Sequence, residues 1–470
     1  MLIIISDKIR NKMSFSKKLL FIIFIVSTIF FLFVGFNVSP FLRGPGEWPP
    51  DWRWPYLFVN TLNRIWFPLI VITLILSLFY FLEKKKLNSL ISLVLLVVLS
   101  YFFQLSILYF SRSGISVLIH RIINPDLNGY FTEAIKIKNL GEFLANYQKN
   151  VLSFSMHATG HPPGSIIFFW LIEKMINVIP LFQTLIVNLI PKHQDVLSVW
   201  NSLTLSQKST AVFSAFFIPS LGSLNIVPLF YIAKKLFNFK TALRSVLLAI
   251  FIPGLTLFTP LSDVLFPLFF LCSFFLFIKG LKEKNGLLIS FSGLIFSLGL
   301  FFSLSLLPLI FIYFYYLIKN KKLLIPFLAG LLSFYLLLFL FRYNVVLVSY
   351  ILMTGLPKNR SYLIWLFYNL YDFSIFIGIP TITVYLTMFF KKIKEPLFVS
   401  FTLMFLLLNF SGAVRGEVGR IWLPLMFFLV LTVSNFLSNK IKLSTMNFLV
   451  ILFIQAAEIL LIQEFWVTLW

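Results

Sequence analysis

Long apolar runs separated by short polar clusters dominate this chain, and the runs approach the roughly 20 residues an α-helix needs to cross a bilayer. They fall at about 19–36, 65–82, 88–110, 209–233, 242–260, 264–280, 286–302, 304–318, 323–341, 374–390, 396–411, 421–437 and 445–464. The pattern predicts an all-α fold: a polytopic transmembrane helical bundle of about 12–14 spans, forming a single domain over residues 1–470.

The polar clusters orient these spans. With a cytoplasmic N-terminus, the segments Glu83–Lys86, Lys234–Arg244, Lys279–Lys284, Lys319–Lys322, Lys391–Glu395 and Lys440–Lys442 fall on the cytoplasmic side, and each is Lys-rich, as the positive-inside rule requires. The register holds only if the apolar stretch 164–190 leaves the membrane on the side where it entered. Pro180 splits that stretch into two short halves, which predicts a re-entrant or in-plane hairpin. Two long extracytoplasmic regions result, a first loop over 37–64 and a second over 111–208. In the second, TEAIKIKNLGEFLANY has the weak helical pattern of amphipathic helices lying on the membrane surface. Lys8, Arg10, Lys12, Lys17 and Lys18 precede a first run of spanning length with no small-residue cleavage site, so the run reads as an anchor in the cell membrane.

Composition narrows the class. At 59% hydrophobic and 12% charged, the 470 residues exceed what a soluble domain can bury. The excess of 39 Lys and Arg over 16 Asp and Glu suggests nucleic acid at first sight. Most of that surplus sits beside apolar runs, where it serves topology, so no nucleic-acid partner is expected. The single cysteine, Cys272, excludes an intrachain disulfide and a thiolate metal cluster.

The residues suited to chemistry gather on the extracytoplasmic side. The first loop, NVSPFLRGPGEWPPDWRWPYLFVNTLNR, carries Glu47 and Asp51 between Arg43 and Arg53, with five prolines to stiffen it. His157 and His161 lie in MHATGHPPG, Asp263 opens a span in FTPLSDVLF, Arg360 lies in LPKNRSY, and Arg415, Glu417 and Arg420 share SGAVRGEVGRIWLP. A loop carboxylate can deprotonate an acceptor hydroxyl, or hold a divalent metal with phosphate oxygens. Arginine's planar fork matches a lipid phosphate, and a neutral histidine can donate to one. Each residue also has a plainer role open to it. Glu47 can pair with Arg43 or Arg53, Arg415 and Arg420 can snorkel at span ends, and Asp263 can cap its helix. His157 and His161 have the spacing of a metal pair, but Gly160 and Pro162 oppose a helix there, which favours a turn or a phosphate contact over zinc. No cofactor is required by the sequence, and a divalent metal stays open. No nucleotide-binding glycine loop is present, which argues against a soluble sugar-nucleotide donor.

TGHPPGSIIFFWL resembles the HPPL or KPPL turn and following aromatic helix of the GT-C superfamily, whose members include protein O-mannosyltransferases and the lipid A aminoarabinose transferase. GYFTEAIKIKNLGEFLANY, RSYLIWLFYNLYDF and GEVGRIWLPL extend the likeness, so the chain resembles a prokaryotic branch of that superfamily from about Arg43 to Pro424. The resemblance implies a polyprenyl-phosphate sugar donor and inverting transfer to a glycan, lipid or protein acceptor, with an essential acid in the first loop. That acid falls on Glu47 or Asp51, although Glu-Trp-Pro-Pro-Asp departs from the family's usual Asp-Glu or Asp-x-Asp pair. The alternative is a transporter or lipid flippase, which places ionisable residues within its spans. Here Glu458 lies in the last apolar run, and Glu173 and Lys174 lie in the hairpin.

Overall fold

The computed structural model describes residues 14–47, 49–58, 60–84, 88–188, 197–355 and 359–468. Lys8, Arg10, Lys12 and Lys358 lie outside them.

Helix Phe15–Gly35 illustrates why the chain is a membrane protein. Only Leu19, Ile23, Ser27, Phe30 and Val34 are buried, a stripe at three- and four-residue spacing that packs on the bundle. The rest of its surface is just as apolar but exposed, with Phe21 at 57% and Phe24 at 58%. A belt of that kind is stable against lipid and not against water. Helix Leu423–Asn435 is its opposite: every one of its 13 residues is buried, which makes it the axis around which the other helices pack.

Among the described residues the fold is all-helical, and eight helices are long and apolar enough to span, or ten if two sharply bent pairs each count once. The chain is a multi-pass helical membrane protein. The lower count than the sequence predicts has physical causes. Gly286–Phe302, Leu304–Leu317 and Pro396–Phe410 are 17 residues or shorter, and at 1.5 Å per residue even 17 reach only about 25 Å of a ~30 Å hydrocarbon core. The run 242–260 is not one helix. Helix Phe239–Ile250 stops, Ile252 is extended, and Pro253 begins a separate turn, because a residue before proline is pushed out of the helical region. That run is apolar because protein surrounds it.

The two bent pairs matter for the site. Gly164–Asn177 and Pro180–Asn188 meet at 109°, with the break at the proline the sequence singles out. Tyr362–Ile377 and Ile379–Phe390 meet at 119° across Gly378. Here Glu458 accepts the Ile379 N–H at 2.8 Å, and Gln455 donates to the Ile377 carbonyl at 3.2 Å, so helix Thr445–Phe465 caps the broken ends. The expected single span over 374–390 is therefore mostly the second arm of a bend, and the first arm reaches back to Tyr362, ahead of the predicted run.

The bundle has two chemically distinct ends. At one, Arg244 pairs with Glu83 at 2.8 Å and donates to the Leu443 carbonyl, with Lys240 3.3 Å from the same carboxylate. Helix Trp66–Lys84 runs from this end to the first loop at the other. A reciprocal pair of bonds closes that loop: Trp54 N–H to the Arg43 carbonyl at 2.8 Å and Arg43 Nη1 to the Trp54 carbonyl at 2.6 Å. The Trp54 ring is buried against Phe258 and Phe376.

Candidate functional site

The GEVGR segment is bent so that its charges point inward. Gly416 has φ +97°, and an added Cβ would lie 2.5 Å from Arg360 Nη1, so glycine is required for the close approach. Glu417 also has a left-handed backbone, at φ 60°. Asn369 clamps the turn by donating to the Val414 carbonyl at 2.9 Å and accepting from Gly416 N–H at 3.0 Å.

Arg420, only 3% exposed, is the centre of the resulting cluster. Its guanidinium donates to Glu417, reaches Asp263 Oδ2 at 3.4 Å, and lies 3.0 Å from Nδ1 and 3.1 Å from Nε2 of His157. Arg360 holds the other oxygen of Glu417 at 3.1 Å and donates to the carbonyls of Arg415 and Pro50. Arg415 returns a bond to the Arg360 carbonyl at 2.6 Å. Residues far apart in the chain are thereby locked into one network.

The histidine turn is positioned separately. Residues Met156–Gly160 form a 3-10 turn, so His157 and His161 do not share a helix face. Glu133 pins its start by accepting from Ser155 N–H at 3.0 Å and Ser155 Oγ at 2.7 Å. Tyr147 donates to the His161 carbonyl at 2.6 Å. Gly164 then lets helix Gly164–Asn177 press on the backbone of Phe301 and Phe302.

Together these pieces enclose a cavity of about 780 Å³. His157, His161, Arg360, Arg415, Glu417 and Arg420 all line it, with Pro49, Pro50 and Trp52 of the first loop. Much of the remaining lining is apolar, including Leu304, Leu307, Leu352 and Met353, with Ser303 and Ser305 among it. Three guanidiniums face the cavity against one carboxylate, with Asp263 buried behind Arg420, so the charged wall keeps a positive excess. Neither first-loop acid lines the cavity. Glu47 is exposed, and Asp51 accepts the Trp365 indole N–H at 2.8 Å. Among the described residues no three His, Cys, Asp or Glu side chains converge in a metal-binding group. With Glu417 and Asp263 both engaged by Arg420, the donor set of this cluster does not fit a metal centre.

Sequence reasoning did not find Trp365, Glu133 or the clamping role of Asn369. Their signal is a partner hundreds of residues away or a backbone contact, which periodicity does not carry.

Electrostatics fix the protonation states. Burial would raise the Glu417 carboxyl, but Arg420, His157 and Arg360 overcome it and hold it well below the carboxylate range. The His157 imidazole is pushed down from its ordinary 6.5 to about 3, first by burial and then by Arg420, and His161 is lowered mainly by burial. At neutral pH His157 is thus a neutral acceptor for the guanidinium. As pH falls below about 6.5, the unfolded chain protonates these histidines while folded His157 resists until about 3 and His161 is also held below its ordinary value, so stability is lost as pH falls through that window. Glu417 adds to the loss below its ordinary value of 4.5. The unfolding midpoint in detergent is expected to fall from pH 7 to pH 4, and less steeply in His157→Asn. A flat profile in the unmodified protein contradicts this assignment.

Fold and site define a multi-pass helical membrane protein with a cationic, amphiphilic cavity at one end of its bundle. No protein-family model and no curated protein matches the chain.

Proposed function

We propose that this chain is a glycosyltransferase moving a sugar from a polyprenyl-phosphate donor to an acceptor hydroxyl, with inversion. The observation that carries the reading is a cavity lined by three arginines together with many apolar side chains. Two of the apolar ones, Leu307 and Met353, are also 37% and 49% exposed. A lipid phosphate fits such a space, with its head on the guanidiniums and its chain leaving sideways between helices. The HPPG turn, which borders the cavity through His161, and the likeness to the GT-C superfamily support the same assignment.

In this mechanism Arg415, Arg420 and Arg360 hold the donor phosphate, and His157 and His161 complete the polar wall. Glu417 and Asp263 orient Arg420. Glu417, held ionised by its arginines, is too weak a base for a hydroxyl. Glu47, or Asp51 in its place, takes the acceptor's proton as its oxygen attacks the anomeric carbon from the face opposite the phosphate. The C–O bond to phosphate breaks, and polyprenyl phosphate leaves as an anion stabilised by the arginines. The Lys-rich segments at the Glu83–Arg244 end support a cytoplasmic N-terminus there and an extracytoplasmic cavity in the cell membrane. The acceptor is a glycan, lipid or protein.

A transporter or flippase is the second reading, and Glu458 is the observation that favours it. This buried carboxylate lies in a spanning helix and caps a broken one at Ile379, an arrangement used for ion coupling in transporters.

One experiment separates them: purified protein incubated with short-chain polyprenyl-phosphate sugars, with release of polyprenyl phosphate followed by mass spectrometry. Release is expected, and Glu47→Gln is expected to lower it by about 10²–10⁴-fold, the usual contribution of a general base. If Asp51→Asn carries that loss instead, Asp51 is the base. Saturable lipid binding without release of any sugar would replace the enzyme by the flippase.

A further inference from the structure

A second cavity, of about 380 Å³, lies where helices Ser89–Phe110 and Thr445–Phe465 end and the first loop returns to the bundle. It shares no lining residue with the first. Arg121 forms part of its wall and is 2% exposed. Its guanidinium donates to three backbone carbonyls, of Leu257, Thr259 and Thr468. Its Nε has no partner among the described residues. All three acceptors are neutral, and no carboxylate among the described residues pairs with Arg121. Glu464, in the same wall, is occupied by the N–H and hydroxyl of Thr61. A buried guanidinium whose hydrogen-bond partners are all neutral carbonyls is costly, and an anion that reaches its unpartnered Nε lowers that cost.

The surroundings suit such an anion. Arg112 stands exposed on the rim, Ser113 and Ser116 add hydroxyls, and Arg64 reaches the Ser111 and Arg112 carbonyls at 3.0 and 3.3 Å. The depth is that of the bilayer headgroups, because helices Trp66–Lys84, Ser89–Phe110 and Thr445–Phe465 all have one end here. Around the rim, Trp66 is 53% exposed and Phe58 56%, apolar side chains of the kind that sit among acyl chains and headgroups.

We propose that this cavity binds the phosphate of an anionic lipid headgroup, bridging Arg121 and Arg112, as a site separate from the transfer cavity. The bound phosphate braces the Leu257–Thr259 carbonyls through Arg121, four residues ahead of Asp263.

The test is the unfolding midpoint of the whole chain in neutral detergent, titrated with phosphatidylglycerol, phosphatidylcholine or inorganic phosphate. Phosphatidylglycerol is expected to raise the midpoint saturably and phosphatidylcholine is not. Arg112→Glu is expected to weaken the apparent affinity about tenfold, as loss of a charge-assisted contact does, and Ser113→Trp to abolish it by filling the space. Arg415→Gln, in the other cavity, keeps the response. Arg112→Glu and Ser113→Trp decide the matter even if Arg121→Gln fails to fold. A rise with inorganic phosphate alone at comparable concentration, lost in the same variants, assigns the anion site but overturns the lipid as its source. No rise with either anion, or a rise unchanged in Arg112→Glu and Ser113→Trp, overturns the site itself.

Discussion

Arg420→Met is expected to unfold a large part of the site. The substitution keeps an unbranched apolar stem but removes the guanidinium that Glu417, Asp263 and His157 share. Breaking one partner out of a buried ionic cluster costs about 3–5 kcal/mol, because the remaining charges stay buried without compensation. Asp263, at 1% exposure, has no route to water without opening the bundle. The midpoint in detergent is expected to drop accordingly, and transfer to fall below detection. Arg420→Lys is expected to retain more stability and little activity, since an ammonium lacks the planar fork that reaches two carboxylates and a ring at once. The diagnostic partner is Arg420→Met with Glu417→Gln. If the orphaned carboxylate causes the loss, the double variant is more stable than Arg420→Met alone. A single variant within about 1 kcal/mol of the parent, the scale of a surface ion pair, would mean that the cluster is not the keystone described here.

The second large effect is expected from one added methyl group. In Gly164→Ala the new Cβ would sit 2.5 Å from the Phe301 carbonyl oxygen and 2.8 Å from Phe302 Cα. Both are backbone atoms, so helix Gly164–Asn177 must move away as a unit. Overpacking of this kind costs about 1–3 kcal/mol. The kinetic effect is expected to be larger, because His161 precedes this helix by three residues and moves with it. Displacing a positioning group by about 1 Å can cost 10²-fold in rate. Gly35→Ala is the control, since its Cβ would meet nothing nearer than 3.9 Å. Equal behaviour of the two variants would remove the close helix contact from the account.

How much of this was readable in advance differed by residue. Pro180 announced its bend, because a missing N–H and a locked φ are local properties of one residue. Gly378 did not, because glycine in an apolar run is compatible with an intact helix, and the bend depends on caps from Glu458 and Gln455 on another helix. The run 242–260 misled because burial in protein and burial in lipid select the same side chains. Arg415, Glu417 and Arg420 stood out as charges where topology did not need them, and His157 by its place in the MHATGHPPG turn, and with Arg360 they share one cavity. The first-loop acids stood out for the same reason, yet Glu47 is exposed and Asp51 meets Trp365. Charge pattern identified which residues were unusual but carried no information on pairings across more than 300 positions, such as that of Asp51 with Trp365.

The first loop is fastened from the far side of the sequence. Thr61 binds Glu464 across 403 positions, Leu57 N–H donates to the Phe465 carbonyl, and Val467 N–H donates to that of Pro55. During synthesis, therefore, the loop waits for the 403 positions between Thr61 and Glu464 to be made before that fastener exists. A nascent bundle lacking helix Thr445–Phe465 has its arginines but no fixed wall of Pro49, Pro50 and Trp52 to close against them. That wall of the cavity is thus complete only once helix Thr445–Phe465 has joined the bundle.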